Sequence, residues 1–326
     1  MKTRFVLFST LLIAVLFRFT EIIHAQENSS FEQTFNLGGQ RTCVPQFFIQ
    51  ETYYVKYALD GKRTGTDILK MYLSCVPIKH NETTVYKYTC NKFQIKFGDA
   101  QWRHIPVLTG WSYLLDDRAS GIDEQGQVFG IDHAKFENLK DSRNQAVSQE
   151  LSYIIYNSFI DFHGFCNVFA EPFEHGNGIQ NLTQINQKIV HAAAYSEPPV
   201  NLGSNIEKGS FFKNGEVTLE FIGLGYVNHS VCAMINYDSG ESSFNMLMKI
   251  PPEFEIKTVG SSHYKGIIYK NLKTNWVEKV TMDEFVLTET ILPFPPNKIN
   301  AATERTLTVE NVGEKRFTEE LNIISN

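Results

Sequence analysis

The sequence lacks the short motifs that identify an enzyme class. It has no CxxC pair, no HExxH zinc motif, no GxSxG nucleophile elbow and no glycine-rich phosphate loop. Their absence removes the sequence grounds for a thiol redox enzyme, a typical zinc hydrolase, an α/β-hydrolase and a nucleotide-binding enzyme. We therefore expect no cofactor and favour a non-catalytic role, while enzymatic activity stays open.

Clustered positive charge and long hydrophobic segments are also scarce. The chain carries 30 Lys and Arg against 36 Asp and Glu, and no cluster of basic residues stands out. A nucleic-acid binder needs such a basic footprint, so nucleic acid is not an expected partner. After residue 25 no apolar run approaches the roughly 20 residues that a transmembrane helix needs. We expect no membrane span in the mature protein.

Residues 1–25 are predicted to be a secretory signal peptide. Lys2 and Arg4 precede the mostly apolar run 5–17, which is too short to span a bilayer, and Ala25 offers a small residue at the cleavage site. Cleavage would leave a net charge of about −8. We expect a secreted, extracellular or periplasmic protein, from either a bacterial or a eukaryotic source.

All five cysteines follow this segment. An oxidising compartment permits disulfides, and an odd number leaves at least one thiol without a partner in the chain. Cys75 and Cys90 are the best candidate pair, because they lie on consecutive predicted strands that flank the polar loop 79–84. Cys232 lies in an apolar strand and is expected to be a buried thiol.

Alternation of apolar and polar residues predicts a mainly β (α+β) protein. Tyr53, Val55 and Tyr57 alternate with polar or small residues, and further strands at 66–76 and 84–97 follow the Asp60-Gly61 turn. A second series of strands begins near residue 188, with no helix between its members. We expect antiparallel sheets or partial barrels in two β blocks.

One amphipathic helix is predicted to link the two blocks, at 142–162. Apolar residues recur there at helical spacing, Asp141 or Ser142 would cap the start, and Gly164 would end the helix. The predicted organisation is a signal peptide at 1–25, an N-terminal β block at 26–140, the helix and a connecting loop at 141–186, a C-terminal β block at 187–292 and a polar tail at 293–326.

The second block resembles the curled half-barrel sheets of bacterial lipoprotein-carrier-type periplasmic proteins. The resemblance covers residues 215–290 and is carried by the segments YVNHSVCA (226–233) and HYKGIIYKNLKTNWV (263–277). It is a resemblance of strand rhythm and applies to the fold. It implies a concave face that holds an acyl chain, with helix 142–162 as a lid. The first block has no such match.

Asp132 and His133 form the first candidate site. They follow a short predicted strand at 126–131 and together have the chemistry of an acid–base pair. The alternative is structural: Asp132 caps the next segment and His133 is solvated.

Asp161 and His163, near the end of the predicted helix, form the second candidate. They are catalytic candidates, and with Glu171 and His175 they offer carboxylate and imidazole ligands for a divalent metal. The spacing matches no recognised zinc family. The alternative is that a histidine at a helix C-terminus interacts with the free carbonyl groups there.

Three functions remain after these exclusions. The leading one is a non-catalytic binding protein whose curved sheets hold an apolar or lipid-like ligand. The second is a secreted hydrolase that acts on glycans, with Asp116, Asp117, Glu171 and Glu174 as eligible acids and Trp102, Trp111 and Tyr113 as stacking aromatics. The third is a surface module that binds another protein. The sequence does not predict the oligomeric state.

Overall fold

Antiparallel strands make up most of the computed structural model, which describes residues 33–80, 83–115, 121–122, 128–194, 207–250 and 254–323. The predicted signal peptide 1–25 lies outside these residues. The described residues from Asn36 onward form one compact unit. The mainly β prediction is confirmed.

The described strands belong to a single sheet. They are β1 Gln46–Tyr57, β2 Arg63–His80, β3 Thr83–Phe97, β4 Arg103–His104, β5 Trp111–Leu115, β6 Gly121–Ile122, β7 Val128–Phe129, β8 Lys188–Val190, β9 Phe211–Lys213, β10 Thr218–Val227, β11 Ser230–Asp238, β12 Ser242–Ile250, β13 Phe254–Asn271, β14 Val277–Ile291 and β15 Lys298–Asn311. The described α-helices are α1, Gln149–His163, and α2, Glu314–Ile323. Neither combines the length and apolar character that crossing a membrane requires.

The strand order is β6-β7-β5-β3-β2-β1-β15-β14-β13-β11-β10-β8. The pairs along this order are antiparallel apart from β5 with β7. Strand β13 is long enough to have two partners on one side, since its first half pairs with β12 and its second half with β11. The strands of both predicted blocks therefore share one sheet.

Strand β15 joins the two halves of the sheet. It pairs with β1 on one side and β14 on the other, and its Leu307 and Val309 are buried. The prediction of a polar tail at 293–326 is therefore wrong. The segment looks polar because threonine, a good strand former, alternates with charged residues that find partners in the folded protein. Arg305, for example, is ion-paired inside the sheet.

Helix α1 begins at Gln149, seven residues after the predicted start at 142. Ser148 caps it by accepting a hydrogen bond from the Leu151 N–H at 3.2 Å. Asp141, a predicted cap, instead accepts from the backbone N–H groups of Arg143 and Gln145 and so stabilises a local turn. Because Asp141 stabilises this turn, residues 142–148 are not part of the helix, which begins after them.

The predicted end of the helix at Gly164 is confirmed for α1, whose C-cap is Gly164, but the chain does not leave the helical path there. Gly164 keeps right-handed helical angles, with φ −56° and ψ −52°, and the chain continues as a π-helical turn over Gly164–Val168. This turn carries Phe165 and Val168 beyond the end of α1. It extends the helical segment past the predicted boundary and brings aromatic residues over the second half of the sheet.

The sheet has a helix on each face. Phe159 and Phe162 of α1 lie against Phe93 and Phe48 on one face. On the opposite face Phe317 of α2 forms a small cluster with Ile49, Tyr72 and Val312. Adjacent residues such as Phe48 and Ile49 serve opposite faces because side chains alternate along a strand. Burial of each such side chain contributes about 1.5–3 kcal/mol.

The disulfide predicted between Cys75 and Cys90 is not formed, and both thiols are free and buried. The β2–β3 register places Cys75 opposite Tyr88 and Cys90 opposite Leu73. The two cysteines are therefore diagonal neighbours, at about 7–8 Å, whereas a disulfide needs Cβ atoms about 3.5–4.5 Å apart. Cys232 is buried in β11, as expected.

Candidate functional site

A cavity of about 470 Å³ lies between helix α1 with its π-helical turn and the strands β9 and β12–β15. We call it the α1 cavity. Its volume falls in the range of small-molecule sites. Its walls are largely aromatic and aliphatic, and include Phe165, Val168, Phe169, Phe211, Phe212, Phe244 and Met246.

Helix α1 has two faces that make different contacts. Phe159 and Phe162 pack on strands from the first half of the sheet, as described above. A neighbouring stripe at spacings of three and four residues, which includes Asn157, Ile160 and Gly164, lines the cavity. The same helix therefore packs on the core at one half of the sheet and covers a cavity at the other half.

Strand β12 supplies the opposite apolar wall. Phe244 and Met246 alternate along it and face the cavity, and Phe244 pairs with Gly260 of β13. A Cβ atom at position 260 would collide with the Phe244 ring and with the carbonyl oxygen of Leu287. The absence of a side chain at Gly260 thus lets the Phe244 ring lie across the neighbouring strand.

A buried charge cluster forms the polar part of the cavity. Arg305 of β15 donates from Nε to Glu284 of β14 and from Nη1 to Asp161 of α1. Glu284 and Arg305 are directly opposite each other in the β14–β15 register. All three side chains line the cavity and are largely buried. We call them the Arg305 cluster.

The electrostatics of the Arg305 cluster follow from two acids sharing one base. Burial raises the pKa of Asp161 to about 6; Arg305 opposes this shift and Glu284 adds to it. Burial disfavours the charged guanidinium, yet Asp161 and Glu284 together hold the pKa of Arg305 well above its usual value. With two carboxylates and one guanidinium, the cluster in its fully ionised form carries one net negative charge.

Ser262 adds a hydroxyl group to the same cavity. It lies on β13, is 4% exposed, and its Oγ has no hydrogen-bond partner among the described residues. Ser242, directly opposite on β12, is likewise buried, and its Oγ too is without a partner there. A buried polar group left unpaired costs about 1–3 kcal/mol. A ligand atom in the cavity would remove part of that cost.

His163, a catalytic candidate from the sequence, is held in a buried polar network. Its Nε2 lies 2.7 Å from the Tyr113 hydroxyl, and its Nδ1 lies 3.0 Å from Asn167 Oδ1. Asn167 Nδ2 donates to Glu171 at 2.8 Å, which fixes the orientation of the amide. Nδ1 must therefore carry the imidazole proton, and Nε2 accepts from Tyr113. Burial lowers the pKa of His163 to about 4, so the ring is neutral at pH 7.

The four residues predicted to bind a metal have four different environments. Asp161 contacts Arg305, His163 contacts Tyr113, Glu171 contacts Arg41, and His175 is exposed beside Glu174. Across the described ranges no three His, Cys, Asp or Glu side chains are placed to hold a metal ion. The structure does not bring these four side chains together, because ion pairing and burial determine where they point.

Asp132 and His133 do not form an acid–base pair. Asp132 caps a 3₁₀ turn by accepting from the Ala134 N–H at 3.0 Å, which is the structural alternative expected from the sequence. His133 is half-buried, and its Nε2 lies 2.7 Å from the Tyr156 hydroxyl. The expectation that His133 is solvated is wrong, since it attaches the 3₁₀ turn to α1.

Three of the residues named for glycan chemistry have structural contacts. Trp111 and Tyr113 pack against Phe159 in the core, and Glu171 is ion-paired with Arg41. Asp116 and Asp117 lie outside the described residues.

A separate open groove of about 720 Å³ lies on the face of β14 opposite the α1 cavity, which we call the outer face. This groove is relevant to the alternative in which the protein is a surface module that binds another protein. It is bordered by Leu59, Phe285 and Leu287.

Sequence reasoning missed Arg305, Glu284 and Ser262. A signal for Arg305 was present, because it is in phase with the buried Leu307 and Val309 on a strand of period two. A charged residue on the apolar face of a strand is unusual and indicates a buried partner. The partners themselves had no local signal, since Asp161 lies 144 residues away along the chain.

No family model and no curated protein matches the chain. The solved structures to which it is similar include a mutant of the Rh. blastica porin, at 6% identity over 82% of this chain and 99% of the porin, with a TM-score of 0.17. Another is a loop-deletion mutant of OmpT, an outer membrane protein of Vibrio cholerae, at 8% identity over 82% and 99% of the two chains, with a TM-score of 0.13. Such scores carry no argument about fold, function or location. They leave the resemblance to lipoprotein-carrier-type proteins as a prediction.

Proposed function

We propose that this protein is a non-catalytic binding protein that holds an apolar or amphipathic molecule in the α1 cavity. The observation that carries the proposal is a cavity of about 470 Å³ with apolar walls and one buried polar cluster. Small-molecule sites commonly combine an apolar lining with a few convergent polar groups. Transfer of the apolar part of a ligand from water would be favourable by about 25 cal/mol for each Å² removed.

Helix α1 and its π-helical turn act as the roof of the site in this proposal. Their cavity-lining residues are mostly apolar, and a ligand below them would replace empty space with packing contacts. The sequence resemblance to lipoprotein-carrier-type proteins supports the same arrangement, with a helix over a concave sheet. We further propose that the protein acts outside the cytoplasm, on the basis of the signal-like residues 1–25.

Binding of the neutral dye Nile red tests the proposal. The wild-type protein should bind the dye with enhanced, blue-shifted fluorescence. Met246→Trp would fill the cavity from β12 and should weaken dye binding at least tenfold. Ser243→Trp is the matched control, because Ser243 is exposed and lies on the opposite face of the same strand.

The control variant should bind the dye as the wild type does. Equal binding by Met246→Trp would show that the dye site is elsewhere. Failure of the folded wild-type protein to bind the dye at all would overturn the proposed function.

A further inference from the structure

The Arg305 cluster has more acceptor capacity than the protein's own donors use. Arg305 Nε donates to Glu284 Oε2, and its Nη1 donates to Asp161 Oδ2. Glu284 accepts the bond from Nε through Oε2, and a carboxylate has a second oxygen that can also accept. Two carboxylates and one guanidinium leave one uncompensated negative charge inside a largely apolar cavity. Such a site is suited to a ligand that donates hydrogen bonds and carries positive charge.

The unpartnered hydroxyl of Ser262 lies on the same side of the sheet. Ser262 is opposite Val286 in the β13–β14 register, and Glu284 is two residues from Val286. Ser262 and Glu284 are therefore diagonal neighbours on one face, about 7–8 Å apart. A group between them that has several donors, such as an ammonium, can reach both side chains.

The aromatic walls favour the same kind of group. Tyr264 is directly opposite Glu284, and Phe165 also lines the cavity. The Tyr264 hydroxyl is already used, since it donates to Asn214 Oδ1 at 2.9 Å. These residues can therefore contact a ligand through the faces of their aromatic rings. Each cation–π contact of this kind is favourable by about 0.5–2 kcal/mol.

An anionic head group would be repelled by the net negative charge of the Arg305 cluster. Arg305 is the cation of the cluster. Its Nε and Nη1 donate to Glu284 and Asp161, and its Nη2 donates to Asp161 Oδ1 at 3.5 Å. A ligand carboxylate would approach two protein carboxylates with one already shared guanidinium between them. Like charges at such close range in a buried site are repulsive.

We infer that the ligand of the α1 cavity is an amphipathic amine. Its protonated amino group would lie between Ser262 and Glu284, and its apolar chain would lie against Phe244 and Met246. This inference rests on the proposed function and adds the chemistry of the ligand's polar end. A fatty acid of the same chain length should bind more weakly.

Displacement of bound Nile red by three probes with twelve-carbon chains tests the inference: dodecylamine, dodecanol and dodecanoate, each used below its micelle concentration at neutral pH. Dodecylamine should displace the dye at a concentration at least tenfold lower than dodecanoate. Glu284→Gln should reduce the affinity for dodecylamine about tenfold and leave dodecanol unchanged. Glu289→Gln is the matched control, because Glu289 lies on the outer face of β14, where it is paired with Lys298.

Ser262→Ala provides a second variant that leaves the ion pairs of Arg305 in place. It should reduce the affinity for dodecylamine about threefold and change the affinity for dodecanoate little. Should Glu284→Gln fail to fold, Ser262→Ala decides, and an unchanged preference for the amine would overturn the inference.

The failure of this inference can be told from the failure of the proposed function. If dodecanoate displaces the dye as well as dodecylamine does, the inference of an amine ligand is wrong, while the cavity remains a binding site. If the folded wild-type protein binds neither the dye nor any of the three probes, the proposed function itself falls.

Discussion

Arg305 is the residue on which the site depends most directly. It connects α1, β14 and β15 through Asp161 and Glu284. Removing one partner of a buried ion pair leaves an uncompensated charge, which costs about 3–5 kcal/mol, whereas exposed pairs contribute about 0–1 kcal/mol. We therefore expect Arg305→Met to lower the free energy of unfolding, measured by urea denaturation, by at least 3 kcal/mol.

Lys298→Met is the control for this substitution. Lys298 is paired with Glu289 at 2.6 Å, but both side chains are solvent-exposed. Its replacement should change the unfolding free energy by less than about 1 kcal/mol. Similar small effects of both substitutions would contradict a buried, coupled Arg305 cluster.

His163 gives the protein a defined dependence of stability on pH. Its pKa is about 4 in the folded protein and near 6.5 when exposed, so the unfolded chain binds a proton first as the pH falls. The stability from neutral His163 is complete above pH 6.5 and is lost between about pH 6.5 and 4. The raised pKa of Asp161 works in the opposite direction over a similar range.

A comparison with His163→Gln separates these two effects, because Asp161 is present in both proteins. The wild type should lose about 3 kcal/mol relative to the variant between pH 7 and pH 4. Urea denaturation at several pH values measures this difference. A stability difference that does not change with pH would show that His163 titrates normally and is not buried as described.

Only part of the candidate site could be predicted at the residue scale. Asp161 and His163 were identified because a carboxylate and an imidazole lie two residues apart, and both do line the cavity. Their roles could not be predicted, since the partners come from β5, β14 and β15. Long-range contacts of this kind leave no mark in the local sequence.

Helix α1 illustrates what sequence pattern can and cannot locate at the scale of an element. Its helical periodicity was correctly identified, but its start was placed seven residues early because Asp141 and Ser142 have the chemistry of a cap. The side chain of Ser148 is the observed cap, and such a cap contributes about 1 kcal/mol. Ser148→Ala should therefore lower the unfolding free energy by about that amount.

Ser142→Ala is the matched control, since Ser142 is exposed and lies before the helix. It should leave the unfolding free energy unchanged within a few tenths of a kcal/mol. The reverse result, with a larger effect at Ser142, would favour the earlier start predicted from the sequence.

Strand β15 shows a second limit at this scale. Its alternation of Leu307 and Val309 with polar residues was visible, but high Thr and Glu content favoured a polar tail. The strand is stabilised by two neighbours, of which β1 lies some 250 residues earlier in the chain. Pairing with a distant strand can turn a segment of weak apolar pattern into an interior strand.

The described strands form one sheet with a helix on each face, and both predicted β blocks contribute strands to it. Turn signals and alternation predicted most strands, because these are local properties of the chain. They did not predict that β15 would join the halves, because strand order depends on pairings across the full length. The α1 cavity arises from this arrangement, since its walls come from α1 and from strands near the C-terminus.

Native mass spectrometry of the purified full-length protein tests most directly whether the α1 cavity holds a ligand. The wild type should carry an additional small-molecule mass that is released on denaturation, and Met246→Trp should lack it. An unoccupied wild-type protein should gain the mass of dodecylamine when the amine is added, while Met246→Trp does not. Wild type and Met246→Trp that both stay at the mass of the polypeptide alone, with and without the amine, would contradict a binding site under α1.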